Sequence, residues 1–261
     1  MDLRLLNFRG PRGWIEALGL AALALASCLA YYGRVLAGRA RFDLPAFAAA
    51  LQQSGLSILP AITLVMIAIG LILGHQVEGI LTQFDLPVVV ILTVAFVIII
   101  EVLPVLVGIL VAGRAGVALA VRQATLLATG EMDGLLVCGI EPLPFTLAPV
   151  LLAMLLMSFA FLVWGTLVTF AVAGAWLWAS SGVAPALFLE MLTSALTPGA
   201  LVEALVKPLL FAVLIALIAT LNGIGAGRRP GGIAGAATGT MIGAVTAILV
   251  TDLLYIVLAR V

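Results

Sequence analysis

Five stretches of this sequence run for about the length a helix needs to cross a membrane, with at most two charges in any of them. No other feature limits the fold so strongly. A helix needs roughly 20 apolar residues to traverse about 30 Å of hydrocarbon. Inside lipid every backbone N–H and C=O must be satisfied within the chain, which leaves helices for runs of this length. With 64% hydrophobic and 9% charged residues, too little polar surface remains to cover a soluble globule. The expected fold is an all-α integral membrane protein.

Transmembrane helices are expected at 56–81, 87–112, 145–179, 200–222 and 236–259. The third is too long for a perpendicular crossing, so it must tilt or project beyond the bilayer. Trp176 and Trp178 near its end suit an interfacial belt. Ten of the twelve basic residues precede the first span or follow the second and fourth: Arg4, Arg9, Arg12, Arg34, Arg39, Arg41, Arg114, Arg122, Arg228 and Arg229. The connections 82–86 and 180–199 contain neither Lys nor Arg. Positive charge is retained on the cytoplasmic side, which places the N-terminus in the cytoplasm and the C-terminus across the membrane. Residues 113–144 then form the longest cytoplasmic connection. Its stretch "TGEMDGLLVCGIEP" carries three carboxylates, read either as a solvated loop or as a docking surface for a cytosolic partner.

An N-terminal helix is expected over 14–36. "LASC" looks like the end of a signal-peptide core, but Arg12, Glu16, Gly19, Ser27 and Arg34 recur at helical spacing as a narrow polar stripe. A helix lying in the membrane interface accounts for that stripe better than cleavage does. Cys28 and Cys138 have no metal-ligand or disulfide spacing. Zero net charge gives no nucleic-acid surface. The absence of a GxxxxGK[ST] loop excludes P-loop ATP hydrolysis by this chain. One histidine, with no HExxH and no GxSxG, argues against metallo- and serine proteases.

Polar residues at membrane depth carry the sharpest information. Glu101 in "VIIIEVLPV" costs on the order of 3 kcal/mol on insertion scales unless protonated, paired or hydrated. It is either hydrogen-bonded to a neighbouring helix or part of a substrate or ion path. Pro104, three residues on, removes a backbone donor. Asp252 raises the same question in the last span, and Lys207 is a partner for it by type. His75 and Gln76 lie toward the end of the first span. Gly235, Gly239 and Gly243 form a flat stripe, used either for packing within the chain or for a dimer contact.

These residues resemble a family. "EVLPVLVGILVAGRAGVALA" is similar to the Glu-x-x-Pro and Ala-Gly-Arg-Ala-Gly segment of the MlaE/YrbE permeases, which serve in ABC systems that move lipids with MCE proteins. "TGEMDGLLVCGIEPLPFTLAP" and "LVKPLLFAVLIALIATLNGIGAG" resemble two further segments of that family, in the same order. The resemblance implies one permease domain over 1–261, with an interfacial helix and five transmembrane helices, in the bacterial inner membrane. It implies a second copy of the chain, a cytosolic ABC ATPase, a periplasmic MCE-domain protein and a small STAS-type subunit as partners. Lipid is the implied cargo. No cofactor is implied in this chain, since ATP and Mg belong to the ATPase. Carried over by position, Leu73, Gln76, Leu81, Phe84, Glu101 and Asp252 approach the lipid cavity. Glu131, Asp133, Gly139, Glu141 and Pro142 belong to the ATPase-coupling loop. Pro144 and Val150 stand where the family usually has Arg, and Glu141 where it has Asp, so fewer basic contacts to headgroups or the ATPase are expected. A stand-alone proton-coupled carrier using Glu101 is the alternative, and a structural anchor for an MCE assembly a third reading.

Overall fold

The computed structural model describes residues 11–39, 41–83, 101–195, 198–228 and 231–259. Among them the elements are helices and turns, with no strand. In order they are α1 (Pro11–Leu36), α2 (Leu44–Leu51), α3 (Leu59–Gln83), α4 (Glu101–Thr129), α5 (Glu131–Val137), α6 (Pro142–Ser181), α7 (Pro185–Ala195), α8 (Pro198–Gly225) and α9 (Gly232–Ala259). Six of these, α1, α3, α4, α6, α8 and α9, are long and apolar enough to cross a membrane. The first part of the span expected at 87–112, residues 87–100, lies outside the described residues.

Three differences from the sequence reading stand out. The helix expected to end at 112 runs on to Thr129, so most of the connection expected at 113–144 is helical. The "AGRAG" segment, at the expected end of that span, is a π-helical turn, Ala112–Gly116, set within α4. A Cβ at Gly116 would lie 2.6 Å from Ile215 Cγ2, so glycine there lets α8 approach α4 closely. The remaining connection holds α5 between Gly130 (φ +81°) and Gly139 (φ +74°), left-handed positions that favour glycine. Residues 180–199, read as a plain connection, contain α7.

The described helices fall into two compact units. Unit 1 comprises Met1–Ser57, Ile109–Met157 and Phe211–Val261; unit 2 comprises Ile58–Gly108 and Ser158–Leu210.

Within unit 1, α9 packs on the Val117–Thr129 part of α4, and the π turn Gln52–Leu56 that follows α2 touches the π turn of α4. Glycine stripes set the close approach. Gly239 faces Asn222, Gly243 faces Ile218, and Gly223 lies against Ala120 and Gln123. The stripe at 235, 239 and 243 therefore packs within the chain at its last two positions, while a Cβ at Gly235 would meet nothing within 4 Å. Tyr32 on α1 donates a 2.6 Å hydrogen bond to the Ala148 carbonyl on α6, and Cys28 is fully buried.

Within unit 2, α3 lies beside the later part of α6. Trp164 Nε1 donates to Thr63 Oγ1 (3.0 Å), Thr169 Oγ1 to the Met66 carbonyl (3.3 Å) and Trp176 Nε1 to Glu78 Oε2 (2.8 Å). Partner numbers rise together along both helices, so the two run parallel. Gly70 and Gly74, one turn apart, meet Thr169, Val172 and Trp176, which makes a small-residue seam.

Candidate functional site

Charge is divided unequally between the units. Among the described residues unit 1 has seven Arg against six carboxylates; unit 2 has Lys207 alone against Glu78, Glu101, Glu190 and Glu203. That single lysine is buried, 4% exposed, and lies between two carboxylates. Its Nζ pairs with Glu101 on α4 and stands 3.1 Å from Glu203 Oε1, one turn earlier on α8. A Glu four residues before a Lys is the favourable order on a helix. The pairing also offsets the large cost of withdrawing an ammonium from water. Both carboxylates keep some exposure, 35% for the Glu101 side chain and 26% for that of Glu203.

Proline contributes to the polarity of this cluster. Pro208 sits inside α8 next to Lys207, and because it has no N–H, the Ala204 carbonyl loses its usual i+4 donor. Pro104 is buried one turn after Glu101. Two carboxylates and an ammonium thus lie together on apolar helices.

Farther along α3, Gln76 is exposed and Leu73 half-buried. Beside them His75 stands edge-on to Trp176, with ring centroids 5.9 Å apart. Its Nδ1 is 3.9 Å from Glu78 Oε2, an ionic contact only when the imidazole is protonated. Phe84 and the side chain of Leu81 lie outside the described residues. Asp252 is half-buried on α9 and belongs to unit 1, whereas Leu73, Gln76 and Glu101 belong to unit 2. The ion pairs of Lys207 include Glu101 and Glu203, neither of which the sequence reading had offered it. Glu203 was missed altogether, although its i,i+4 spacing from the only lysine was a usable signal. Glu78 was also missed; nothing local announces its bond to Trp176, 98 residues away.

The second polar region lies in unit 1. Asp133, in the first turn of α5, pairs with Arg228 in the turn after α8. Arg228 Nε also donates to the Leu127 carbonyl (3.1 Å) near the end of α4. Glu141 Oε2 stands 3.8 Å from Arg34 Nη2 on α1. Thr129 donates to Glu131 Oε1 at 2.9 Å. Met132 anchors α5 by burial, while Leu136, Val137 and Ile140 are exposed beside these carboxylates. The structure thus brings Glu131, Asp133, Gly139, Glu141 and Pro142 into one short helix and its flanks. Among the described residues no three His, Cys, Asp or Glu side chains form a metal-binding group.

Comparison with individually curated proteins finds no match. Comparison with family models matches "Permease MlaE" over residues 47–258, which runs from within α2 into α9 and includes both polar regions except Arg34. The chain belongs to the MlaE permease family.

Proposed function

We propose that the chain is the membrane subunit of an ABC transporter that moves phospholipid or a related lipid between the bacterial inner membrane and a periplasmic MCE protein. The family match over 47–258 carries this reading. The chain acts as a homodimer with a separate cytosolic ATPase, and a small STAS-type subunit joins the ATPase side. Arginines before α3, along α4 and after α8, against connections 82–86 and 180–199 without Lys or Arg, support a cytoplasmic N-terminus and a periplasmic C-terminus. Helix α1 is long enough to cross, but arginines flank both of its ends, Arg12 on one and Arg34, Arg39 and Arg41 on the other. A crossing would carry one group to the far side, so α1 lies in the interface.

The mechanism is mechanical. ATP-driven closure of the ATPase pushes on α5, whose exposed Leu136, Val137 and Ile140 and acidic first turn form the contact. The movement passes to the membrane helices and changes the lipid cavity, where Leu73, Gln76, Leu81, Phe84, Glu101 and Asp252 are the contributing residues. Among them Glu101 is the polar anchor, held by Lys207.

Affinity purification from gently solubilised membranes, with mass spectrometry of proteins and lipids, tests this. An ATPase, an MCE protein and bound phospholipid are expected together. Recovery of a transport-competent chain alone and lipid-free would overturn the reading in favour of a proton-coupled carrier using Glu101. Charge reversal at Glu131 and Asp133 separates transport from anchoring: assembly persists while lipid-stimulated ATPase activity falls at least tenfold. Unchanged activity would make the chain an anchor.

A further inference from the structure

Unit 2 offers an incoming lipid an unusual charge arrangement. Its sole lysine, Lys207, is 4% exposed and pairs with the carboxylates of Glu101 and Glu203. The exposed parts of the cluster are therefore the carboxylates. Glu101 and Glu203 outnumber the ammonium they pair with, in a unit whose described residues carry one Lys and four acids. A lone Lys–Glu pair would be neutral and would leave the ammonium available to a phosphate. Glu203, one turn before Lys207 on the same helix, removes that option.

We infer that Glu203 is a specificity-determining residue, which makes this site select lipids whose headgroup carries an ammonium over anionic lipids whose headgroup carries none. The inference rests on the lipid-permease reading above. The physical ground is like-charge exclusion: a headgroup with a net negative charge must approach two partly exposed carboxylates in a low-dielectric setting, whereas an ammonium is attracted to them. The Ala204 carbonyl, left without its helix donor by Pro208, is a further acceptor one residue from Glu203.

The full chain, purified with its associated subunits, is equilibrated in nanodiscs containing equal amounts of phosphatidylethanolamine and phosphatidylglycerol. Retained lipid is then counted by native mass spectrometry. The wild type is expected to enrich phosphatidylethanolamine. Glu203→Gln, which keeps the shape and removes the charge, is expected to shift the ratio toward phosphatidylglycerol by about tenfold, the ratio supplied by ~1.4 kcal/mol. Glu203→Asp keeps the charge and the wild-type preference. Glu190→Gln, the same charge change at an exposed position on α7, leaves the ratio unmoved. Enrichment of phosphatidylglycerol by the wild type, or lipid retention with a ratio indifferent to Glu203→Gln, overturns the inference and leaves the permease reading intact. Failure of the wild type to retain either lipid overturns both.

Discussion

Two ion-paired regions of this molecule use the same chemistry under opposite conditions. In unit 1 Arg228 and Asp133 are 50% and 63% exposed, and Arg34 and Glu141 are 51% and 69% exposed. In unit 2 Lys207 is almost wholly buried between Glu101 and Glu203. Water competes for every charge in the first region, so pairing there contributes at most about 1 kcal/mol. In the second, removing one partner strands an opposite charge on apolar helices. Exposed pairs therefore position a segment, whereas the pairs of a buried lysine bear on the stability of the helices that hold it.

The largest expected effect comes from breaking the buried triad. Lys207→Met leaves two carboxylates facing each other and should cost on the order of 3 kcal/mol. The readout is thermal unfolding in detergent, followed by size-exclusion chromatography. Introducing Lys207→Met into a Glu101→Gln, Glu203→Gln background should cost much less, because the charges it would strand are gone. Equal losses from Lys207→Met and Arg228→Met would dissolve the contrast between the two regions.

Smaller effects, of opposite sign, are expected from one substitution at two glycines. At Gly70 in unit 2 a Cβ would lie 2.7 Å from the Thr169 carbonyl oxygen, so Gly70→Ala must push α3 off α6 at a cost of about 1–3 kcal/mol. At Gly235 in unit 1 a Cβ meets nothing within 4 Å, and Gly235→Ala should gain up to about 1 kcal/mol of helix propensity. The same melts measure both. A stabilising Gly70→Ala would show that the α3–α6 seam is loose.

Those two glycines show what was legible in the sequence. Apolar runs of spanning length revealed the helices, because lipid permits no other solution for them. The Gly235, Gly239 and Gly243 stripe was visible by its spacing, but which of its positions touch a neighbour depends on α8, whose approach no local pattern encodes. Gly70 and Gly74 carry the same four-residue spacing and passed unnoticed among apolar neighbours. The course of α4 was misread for a physical reason. Glycine and arginine in "AGRAG" signal a loop in water, whereas here a π turn keeps the backbone bonded and lets the helix continue to Thr129. At the candidate site Glu101 stood out by its insertion cost. Its partner Lys207, 106 residues away, could be found only by folding the chain.

The smallest global effect is expected at Arg228, where the consequence is local. Its guanidinium reaches Asp133 at the start of α5 and the Leu127 carbonyl near the end of α4, which also accepts the Gly130 N–H. One side chain thus caps α4 and tethers α5. Arg228→Ala should lower global stability by less than about 1 kcal/mol, since the Asp133 pair faces water and the Leu127 bond is only part-buried. Residues 131–137 should nevertheless exchange their amide hydrogens roughly fivefold faster or more, because α5 is short and Met132 is its one buried side chain. The Val117–Thr129 part of α4, packed on α9, should keep its protection except in its last turn. Arg228→Lys retains a charge but lacks the planar fork that serves two acceptors at once, so it should restore only part of the protection. Unchanged exchange over 131–137 would show that burial of Met132 alone holds α5. The exposed pair would then have no positioning role, and the comparison would narrow to the buried triad.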